Sequence, residues 1–260
     1  MNILILNSSG RSNGNTQRLL NSFENQLLAS ADMRKIPLDI THVLLSRQNI
    51  QSCRGCRACF DKGICPLKDD VAKIEELVLS CDALILGSPV YLEDVNGIMK
   101  NLIDRMAFHS HRPALYEKYA IVISTSGSGS SNHTLNTMRN ALVSWGAHVI
   151  HMNKFRMGAY MEDDCIKKKY NPKLFELTTD LINVIQDRKS QKPTLYSLIS
   201  FHFQQKYYGI CNRAGDIDRQ YWEEKGWLDP KVYFYIDTRC NPIKLLLSRV
   251  IGSLISKMFI

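Results

Sequence analysis

The fold of this chain is indicated by its opening stretch, in which NILILN (2–7) is followed directly by SSGRSNGNT (8–16). The first segment is a short apolar run that is typical of a buried strand. The second is polar and rich in serine, glycine and asparagine, and a helical pattern begins at Thr16. A strand, a loop of small residues and a helix in this order predict the start of a βαβ unit.

The same alternation continues through the first two-thirds of the chain. Further strands are predicted at 38–46, 83–89, 119–129 and 147–155, and helical patterns lie at 69–82, 96–107 and 134–146. One more helix is expected from Asn171 to about Lys189. Such alternation predicts an α/β protein with a doubly wound parallel sheet and right-handed crossovers.

Three loops follow strands of this predicted sheet, at residues 8–15, 87–95 and 125–132, and all are rich in Gly, Ser, Asn or Pro. In doubly wound sheets a ligand binds outside the carboxyl ends of the strands, where the strand order reverses. The hydroxyls and small residues of the first loop allow backbone N–H groups at a helix N-terminus to hold an anion. The loop is neither G-x-G-x-x-G nor a P-loop, which disfavours a dinucleotide or ATP.

Composition restricts the class of protein further. The 260 residues can form one α/β domain with an appended segment. The net charge of +8 comes without a basic block or a recognition helix, so nucleic-acid binding is disfavoured, whereas anionic cofactors suit a basic chain. The sequence shows no secretory signal and no apolar run of membrane-spanning length, so we expect a cytoplasmic, reducing location.

Four of the eight cysteines lie in SCRGCRACFDKGIC (52–65), with the spacing C-x2-C-x2-C-x5-C. A reducing compartment and the small number of cysteines exclude a disulfide scaffold. Three interpretations of the residues remain open: a [4Fe–4S] cluster on four thiolates, a compact turn without a cluster, and a structural zinc site. Zinc is the weakest of these, because its sites more often consist of two separated C-x2-C pairs.

Several motifs in combination resemble the flavodoxin-like NAD(P)H-dependent FMN reductases, and the branch of iron–sulfur flavoproteins in particular. The resemblance is carried by NSSGRSNGNT after the first strand, the cysteine loop running into KDDV, GSPVY, and G-x-M-K-N-x-I-D-R. It covers about residues 1–155. It implies a five-stranded sheet of order 2-1-3-4-5 and a homodimer or homotetramer.

The resemblance also implies FMN as cofactor, NAD(P)H as electron donor, and a quinone, a nitro or azo compound, or another small molecule as acceptor. Each of the three loops then receives one part of the flavin. The FMN phosphate would contact Ser9, Arg11, Ser12, Asn15 and Thr16, the ring would lie against Pro89, Val90 and Tyr91, and its far edge would meet Ser126, Gly127 and Gly129.

For the cysteine loop the resemblance supports two of the open interpretations. In the iron–sulfur branch, a [4Fe–4S] cluster would be held by Cys53, Cys56, Cys59 and Cys65, and the protein would carry electrons supplied by ferredoxin. Similar loops also occur in FMN reductases without a cluster.

Residues 195–260 lie outside this resemblance. QKPT (191–194) marks an expected boundary between an FMN-binding domain at 1–190 and a mainly helical, aromatic-rich extension at 191–260. The last helix has a broad apolar face, and we expect it to pack on the domain or on a second subunit rather than to contact a membrane surface. That face consists of Leu245, Leu246, Val250, Ile251, Leu254, Ile255 and Met258.

Overall fold

The computed structural model describes residues 1–129, 132–187, 192–210 and 216–258. In this part of the chain all five strands are parallel and form one sheet of order β2-β1-β3-β4-β5. The predicted fold class and strand order are therefore confirmed. The strands are β1 (Asn2–Asn7), β2 (Asp39–Leu44), β3 (Ala83–Pro89), β4 (Tyr119–Ser126) and β5 (His148–Arg156).

Helices cover both faces of the sheet. One face packs against α1 (Asn15–Met33) and α6 (Asp163–Gln186), and the other packs against α3 (Val71–Ser80), α4 (Gly97–Arg105) and α5 (Asn132–Ser144). The period of two in a strand places Ile3 and Ile5 in the first core and Leu4 and Leu6 in the second. Both faces of β1 are thus apolar, as its sequence requires. One turn of helix, α2 (Ala58–Asp61), lies within the cysteine loop.

Helix α6 begins at Asp163, well before the expected start at Asn171, and it continues through Pro172. Proline normally ends a helix because it lacks an N–H donor and clashes with the preceding turn. Here Ile166, on the N-terminal side of the proline, is fully buried in the core beside α1. Burial of that first stretch favours the longer helix. Lys189 and the expected domain boundary at 190–191 lie outside the described residues, as do residues 130–131 of the third loop.

The C-terminal segment forms α7 (Leu195–Ile210), α8 (Ile217–Glu224) and α9 (Pro242–Ser256). Its aromatic residues build a third core, in which Phe201, Trp222 and Trp227 are almost fully buried. Tyr116, from the turn before β4, packs against this cluster, and the Tyr221 hydroxyl donates to the Pro113 carbonyl over 2.6 Å. The extension therefore rests on the turn that leads into β4.

Helix α9 packs on α7 through its small residues rather than through the whole of the predicted apolar face. Of that face, Leu245, Ile251 and Ile255 are half-buried, and its contact with a second subunit stays a prediction. Ser248, Gly252 and Ser256 are the buried residues of the helix, while Leu246 and Leu254 are exposed. Small residues four apart let two helix backbones approach more closely than leucines would. None of the helices in the described ranges combines the length and the apolar character needed to cross a bilayer.

The packing of α1 on β3 depends on a glycine. A Cβ atom added to Gly87 would lie 2.5 Å from Leu20 Cδ1, and Leu20 is fully buried. We expect Gly87→Ala to lower the free energy of unfolding by about 1–3 kcal/mol through overpacking. Gly97→Ala is the matched control, because no atom lies within 4 Å of its Cβ position. Urea denaturation of both variants measures the difference, and equal midpoints would contradict the expectation.

Candidate functional site

Hydrogen bonds join the three predicted loops at the carboxyl edge of the sheet. The Ser8 N–H donates to the Gly87 carbonyl over 2.9 Å, and the Val90 N–H donates to the Thr125 carbonyl over 2.8 Å. A fourth segment, after β5, joins them through a 3.0 Å bond from the Gly158 N–H to the Gly127 carbonyl. The first three loops meet as predicted, whereas the sequence had no signal for the fourth.

The start of α1 has the properties of an anion site. Its N-cap, Gly14, provides no side-chain hydrogen bond, and the first turn contains no acidic residue. The first N–H groups of a helix have no partner within the helix and carry a partial positive charge. Arg11 and Ser12 are exposed in the loop just before this turn. The N-terminus of α1 can therefore receive a phosphate from the solvent side.

Three of the predicted phosphate contacts have side chains that are engaged within the protein. The Asn15 amide donates to the Gly158 carbonyl over 3.0 Å and accepts from the Met161 N–H over 2.9 Å. The Thr16 hydroxyl lies 2.6 Å from that of Thr125, and the Ser9 hydroxyl donates to the Arg11 carbonyl over 2.8 Å. These side chains fix the shape of the loop. Asn15 and Thr16 can still donate their main-chain N–H groups to a phosphate. The Ser9 N–H already donates to the Asn7 side chain.

The second loop is a tight turn that projects from the end of β3. Tyr91 and Asp94 exchange two main-chain hydrogen bonds, of 2.9 and 3.1 Å, across the turn. Leu92 and Glu93 at its tip both have positive φ, of 46° and 67°, which is uncommon for residues other than glycine. The Tyr91 ring is exposed and Pro89 is half-buried. A planar ring could lie against this loop, although the N–H of Val90 is already bonded to Thr125.

The third loop leaves the end of β4 with little side-chain bulk. A Cβ atom at Gly129 would meet no atom within 4 Å, and one at Gly127 would meet only the Gly158 backbone, at 3.7 Å. The Ser126 hydroxyl is buried without a hydrogen-bond partner among the described residues. A buried hydroxyl without a partner is costly unless a ligand or a water satisfies it. Together with the uncapped N-terminus of α1, this fits a bound molecule with a phosphate and a polar edge.

The cysteine loop is irregular apart from α2. Cys53 and Cys56 are exposed, and Cys59 and Cys65 are half-buried. Gly55 and Arg57 both have a left-handed backbone, with φ of 63° and 62°, which reverses the chain between the thiols. The Gly55 N–H donates to Cys53 Sγ over 3.5 Å.

No three of these thiol sulfurs lie within 4.8 Å of one another. A single tetrahedral zinc ion needs closer sulfurs, because each Zn–S bond is only about 2.3 Å long. A four-iron cubane accepts one thiolate at each of its separate corners. The donor set of four separated thiols therefore fits a cluster better than a single ion.

Burial raises the pKa of the Cys59 thiol, and thiolate charge at Cys65 and Cys53 raises it further. Negative charge on these sulfurs is thus mutually unfavourable. Cationic metal would relieve that repulsion, since metal ligation requires the deprotonated thiol.

A buried ion pair closes the neck of the cysteine loop. The Arg105 guanidinium donates two hydrogen bonds to the Asp69 carboxylate, and the two side chains are 2% and 0% exposed. Arg105 also donates to the Gln51 carbonyl over 3.0 Å, while Asp69 accepts from the Gln51 and Val71 N–H groups over 2.9 and 3.2 Å. Both ends of the loop are therefore attached to α4.

This environment sets the charge of Asp69. Burial by itself favours the neutral acid, but the hydrogen bonds from Arg105 and from the two backbone N–H groups outweigh it. The pKa of Asp69 therefore lies below its usual value. The carboxylate stays ionised, as the buried guanidinium beside it requires.

The far side of the cysteine loop is held by the C-terminal extension. Arg112 donates to the Cys59 carbonyl over 2.7 Å and forms an ion pair with Asp218, which belongs to α8. Asp218 also lies 2.8 Å from His111 Nδ1, and the His111 ring packs on Phe60 at 4.7 Å. The sequence gives no signal for these contacts, because the partners are far apart along the chain.

The strand order 2-1-3-4-5, with helices on both faces, defines the flavodoxin-like class of α/β proteins. The profile of the NADPH-dependent FMN reductase family matches residues 1–162. The chain belongs to this family and is an NAD(P)H-dependent FMN oxidoreductase, a flavoprotein with FMN as its cofactor.

Relatives extend beyond this matched region. An iron-sulfur flavoprotein from Archaeoglobus fulgidus is 26% identical over 224 residues, covering 85% of this chain and 96% of the relative. Another, from Clostridioides difficile, is 27% identical over 233 residues, covering 87% and 99%. The solved structure of a flavone reductase shares the fold with a TM-score of 0.57 and 13% identity, over 75% of this chain and 66% of that one.

The buried pair at the neck gives a prediction for stability. We expect Asp69→Asn to lower the free energy of unfolding by about 3–5 kcal/mol, because it leaves the Arg105 charge buried without a partner. Asp104→Asn is the control, since the 2.6 Å pair of Asp104 with Lys100 is largely exposed and contributes less than about 1 kcal/mol. Chemical denaturation at neutral pH compares the two, and equal losses would contradict a special role for Asp69.

The same pair gives the sign of a pH dependence. The pKa of Asp69 is lowered by folding, so its stabilisation is complete above the unfolded value of about 3.9 and is lost as pH falls through the folded value. The difference in unfolding free energy between the native chain and Asp69→Asn should therefore shrink in acid.

Proposed function

We propose that this oxidoreductase passes electrons from NAD(P)H through FMN to a small acceptor such as a quinone or a nitro or azo compound, and that its cysteine loop holds a [4Fe–4S] cluster. The observation that carries the flavin part is the uncapped N-terminus of α1 at the edge where the three loops meet. In this proposal residues 1–190 are the FMN-binding domain, residues 191–260 are the extension, and the protein assembles as a homodimer or homotetramer.

The roles of the loops follow from their chemistry. Main-chain N–H groups at Asn15 and Thr16, with the Ser12 hydroxyl and the Arg11 cation, would hold the phosphate. FMN supplies hydride and electron transfer when it is bound, and the protein supplies its position and surroundings. Pro89, Val90 and Tyr91 would orient the ring, and Ser126, Gly127 and Gly129 would leave room at its far edge.

The cluster part of the proposal rests on the four thiols and on the names of the two relatives. Cys53, Cys56, Cys59 and Cys65 would be the ligands. Arg105 at the neck and Arg112 at the far side place positive charge near thiolates that repel one another.

The cysteine loop also favours a second candidate function. A protein with FMN and a cluster could serve as an electron carrier that receives electrons from ferredoxin, with NAD(P)H as a poor donor. Anaerobic stopped-flow mixing separates the two. Rapid bleaching of the flavin by NAD(P)H supports the first, and rapid bleaching by reduced ferredoxin alone supports the second.

The phosphate site can be tested without measuring activity. Ser12→Asp adds a negative charge beside the N-terminus of α1, so we expect the Kd for FMN to rise at least about tenfold, which corresponds to about 1.4 kcal/mol. Riboflavin lacks the phosphate, so its affinity should not change. Ser80→Asp, at the other end of the sheet, is the matched control. Fluorescence titration measures both affinities for the native chain and for each variant, and an equal loss for FMN and riboflavin in Ser12→Asp would refute the placement of the phosphate.

The cluster can be tested by metal content and absorbance. We expect the anaerobically purified chain to contain about four irons and to show a broad shoulder near 400 nm. Cys65→Ser should lose most of the iron and keep FMN, whereas Cys165→Ser, at an exposed position on α6, should keep both. A native protein with flavin bands and no iron would refute the proposed cluster and leave the proposed FMN site unaffected.

A further inference from the structure

Helix α9 presents a continuous apolar stripe to solvent. With about 3.6 residues per turn, its exposed large side chains fall on one side of the helix, opposite the buried Ser248, Gly252 and Ser256. Isolated surface leucines are normal, but a contiguous apolar patch marks an interaction surface. The stripe consists of Ile243, Leu246, Leu247, Val250 and Leu254 of the helix and Met258 in the turn after it, which are 69%, 65%, 45%, 51%, 59% and 81% exposed.

The inner side of α9 shows why the stripe is left uncovered. A Cβ atom at Gly252 would lie 2.8 Å from the Phe203 N and 3.0 Å from His202 Cβ, so the helix is seated as closely on α7 as its backbone allows. Contact through small residues four positions apart is the way helices pack within lipid, where large apolar side chains gain nothing by turning inward. An ordinary surface helix buries most of its large apolar side chains, whereas here only Leu245, Ile251 and Ile255 are half-buried and the rest of the large ones are exposed.

The charges of α9 indicate what kind of surface covers the stripe. Lys244 and Arg249 lie on its two flanks and Lys257 follows at the C-terminal end, while the sequence from 241 to 258 contains no Asp or Glu. In the part of the chain that the structure describes, no carboxylate forms an ion pair with any of these three cations. An apolar stripe between unpaired cations complements an anionic surface with an apolar interior.

We propose that α9 docks on the surface of an anionic phospholipid bilayer. The helix would lie in the plane of the interface, with its apolar stripe among the upper acyl chains and Lys244, Arg249 and Lys257 at the headgroups. Its 15 residues are too few to span a bilayer, which takes about 20. This inference stands on α9 itself and does not depend on the proposed flavin chemistry.

A second copy of the chain is a poorer occupant of the same face. In a symmetric dimer each stripe would meet its own equivalent. That arrangement would bring the cations of both helices together, and neither α9 has a carboxylate to offset the repulsion. In an anionic bilayer, by contrast, each of these cations can lie next to a negatively charged headgroup.

The test is co-sedimentation of the full, flavin-loaded chain with vesicles. We expect binding to vesicles of phosphatidylcholine mixed with phosphatidylglycerol, weaker binding to phosphatidylcholine alone, and loss of the difference at high salt. The double variant Leu246→Glu and Leu254→Glu should lower the partition coefficient at least about tenfold. Since both side chains are exposed, the fold should persist, which retention of the flavin absorbance and of the unfolding midpoint verifies.

The matched control replaces two exposed apolar residues elsewhere, with the same change in charge. Met33→Glu with Leu79→Glu alters α1 and the end of α3, where the side chains are 69% and 40% exposed, and it should leave vesicle binding unchanged. Absence of binding to the anionic vesicles, or equal losses in the two double variants, would overturn the proposal. A smaller assembly for the α9 variant than for the native chain, measured by sedimentation velocity, would assign the stripe to a contact between copies instead.

Discussion

Parallel pairing of the strands is the constraint on which the rest of this molecule depends. When every strand runs in the same direction, every loop that follows a strand leaves the sheet at one edge. The serine-rich loop, the turn after β3 and the glycine loop after β4 therefore converge, although they are far apart in the sequence. Because the first of them opens α1 without a capping side chain, the edge where they meet also carries N–H donors that have no partner within the helix. A phosphate-bearing cofactor suits such an edge.

The long cysteine loop poses a different physical problem, since an irregular segment has few hydrogen bonds of its own. Contacts at the neck and at the far side of the loop hold it in place. At the neck, the Asp69–Arg105 pair gathers the backbone of Gln51 and Val71 onto α4 in a place from which water is excluded. At the far side, Arg112 connects the Cys59 carbonyl to Asp218 of the extension. Of the thiols between these attachments, Cys53 and Cys56 are exposed and Cys59 and Cys65 are half-buried, which suits the proposed cluster.

The extension also shows that apolar periodicity predicts which side of a helix is apolar, but not what that side packs against. The pattern of α9 correctly predicts a helix with one strongly apolar side. On that side Leu246, Val250 and Leu254 are exposed, whereas Leu245, Ile251 and Ile255 are half-buried. Contact through Ser248, Gly252 and Ser256 brings α9 closer to α7 than leucines could. The start of helix α6 likewise differs from the one expected from the local sequence. The expected start is Asn171, and burial of Ile166 accompanies the longer helix from Asp163.

From the sequence alone, the α/β class, the order of strands and helices and the three loops at the carboxyl edge could be predicted. These features follow from local periodicity and from small residues after each strand, and the resemblance to a known family added the sheet order. Only the tertiary structure decided that the side chains of Asn15 and Thr16 form hydrogen bonds with neighbouring loops. It likewise decided that Asp69 pairs with Arg105 and Asp218 with Arg112. The reason is physical: these contacts join residues separated by tens of positions or more, and a side chain's partner depends on the distance of approach in the folded chain rather than on the pattern around it.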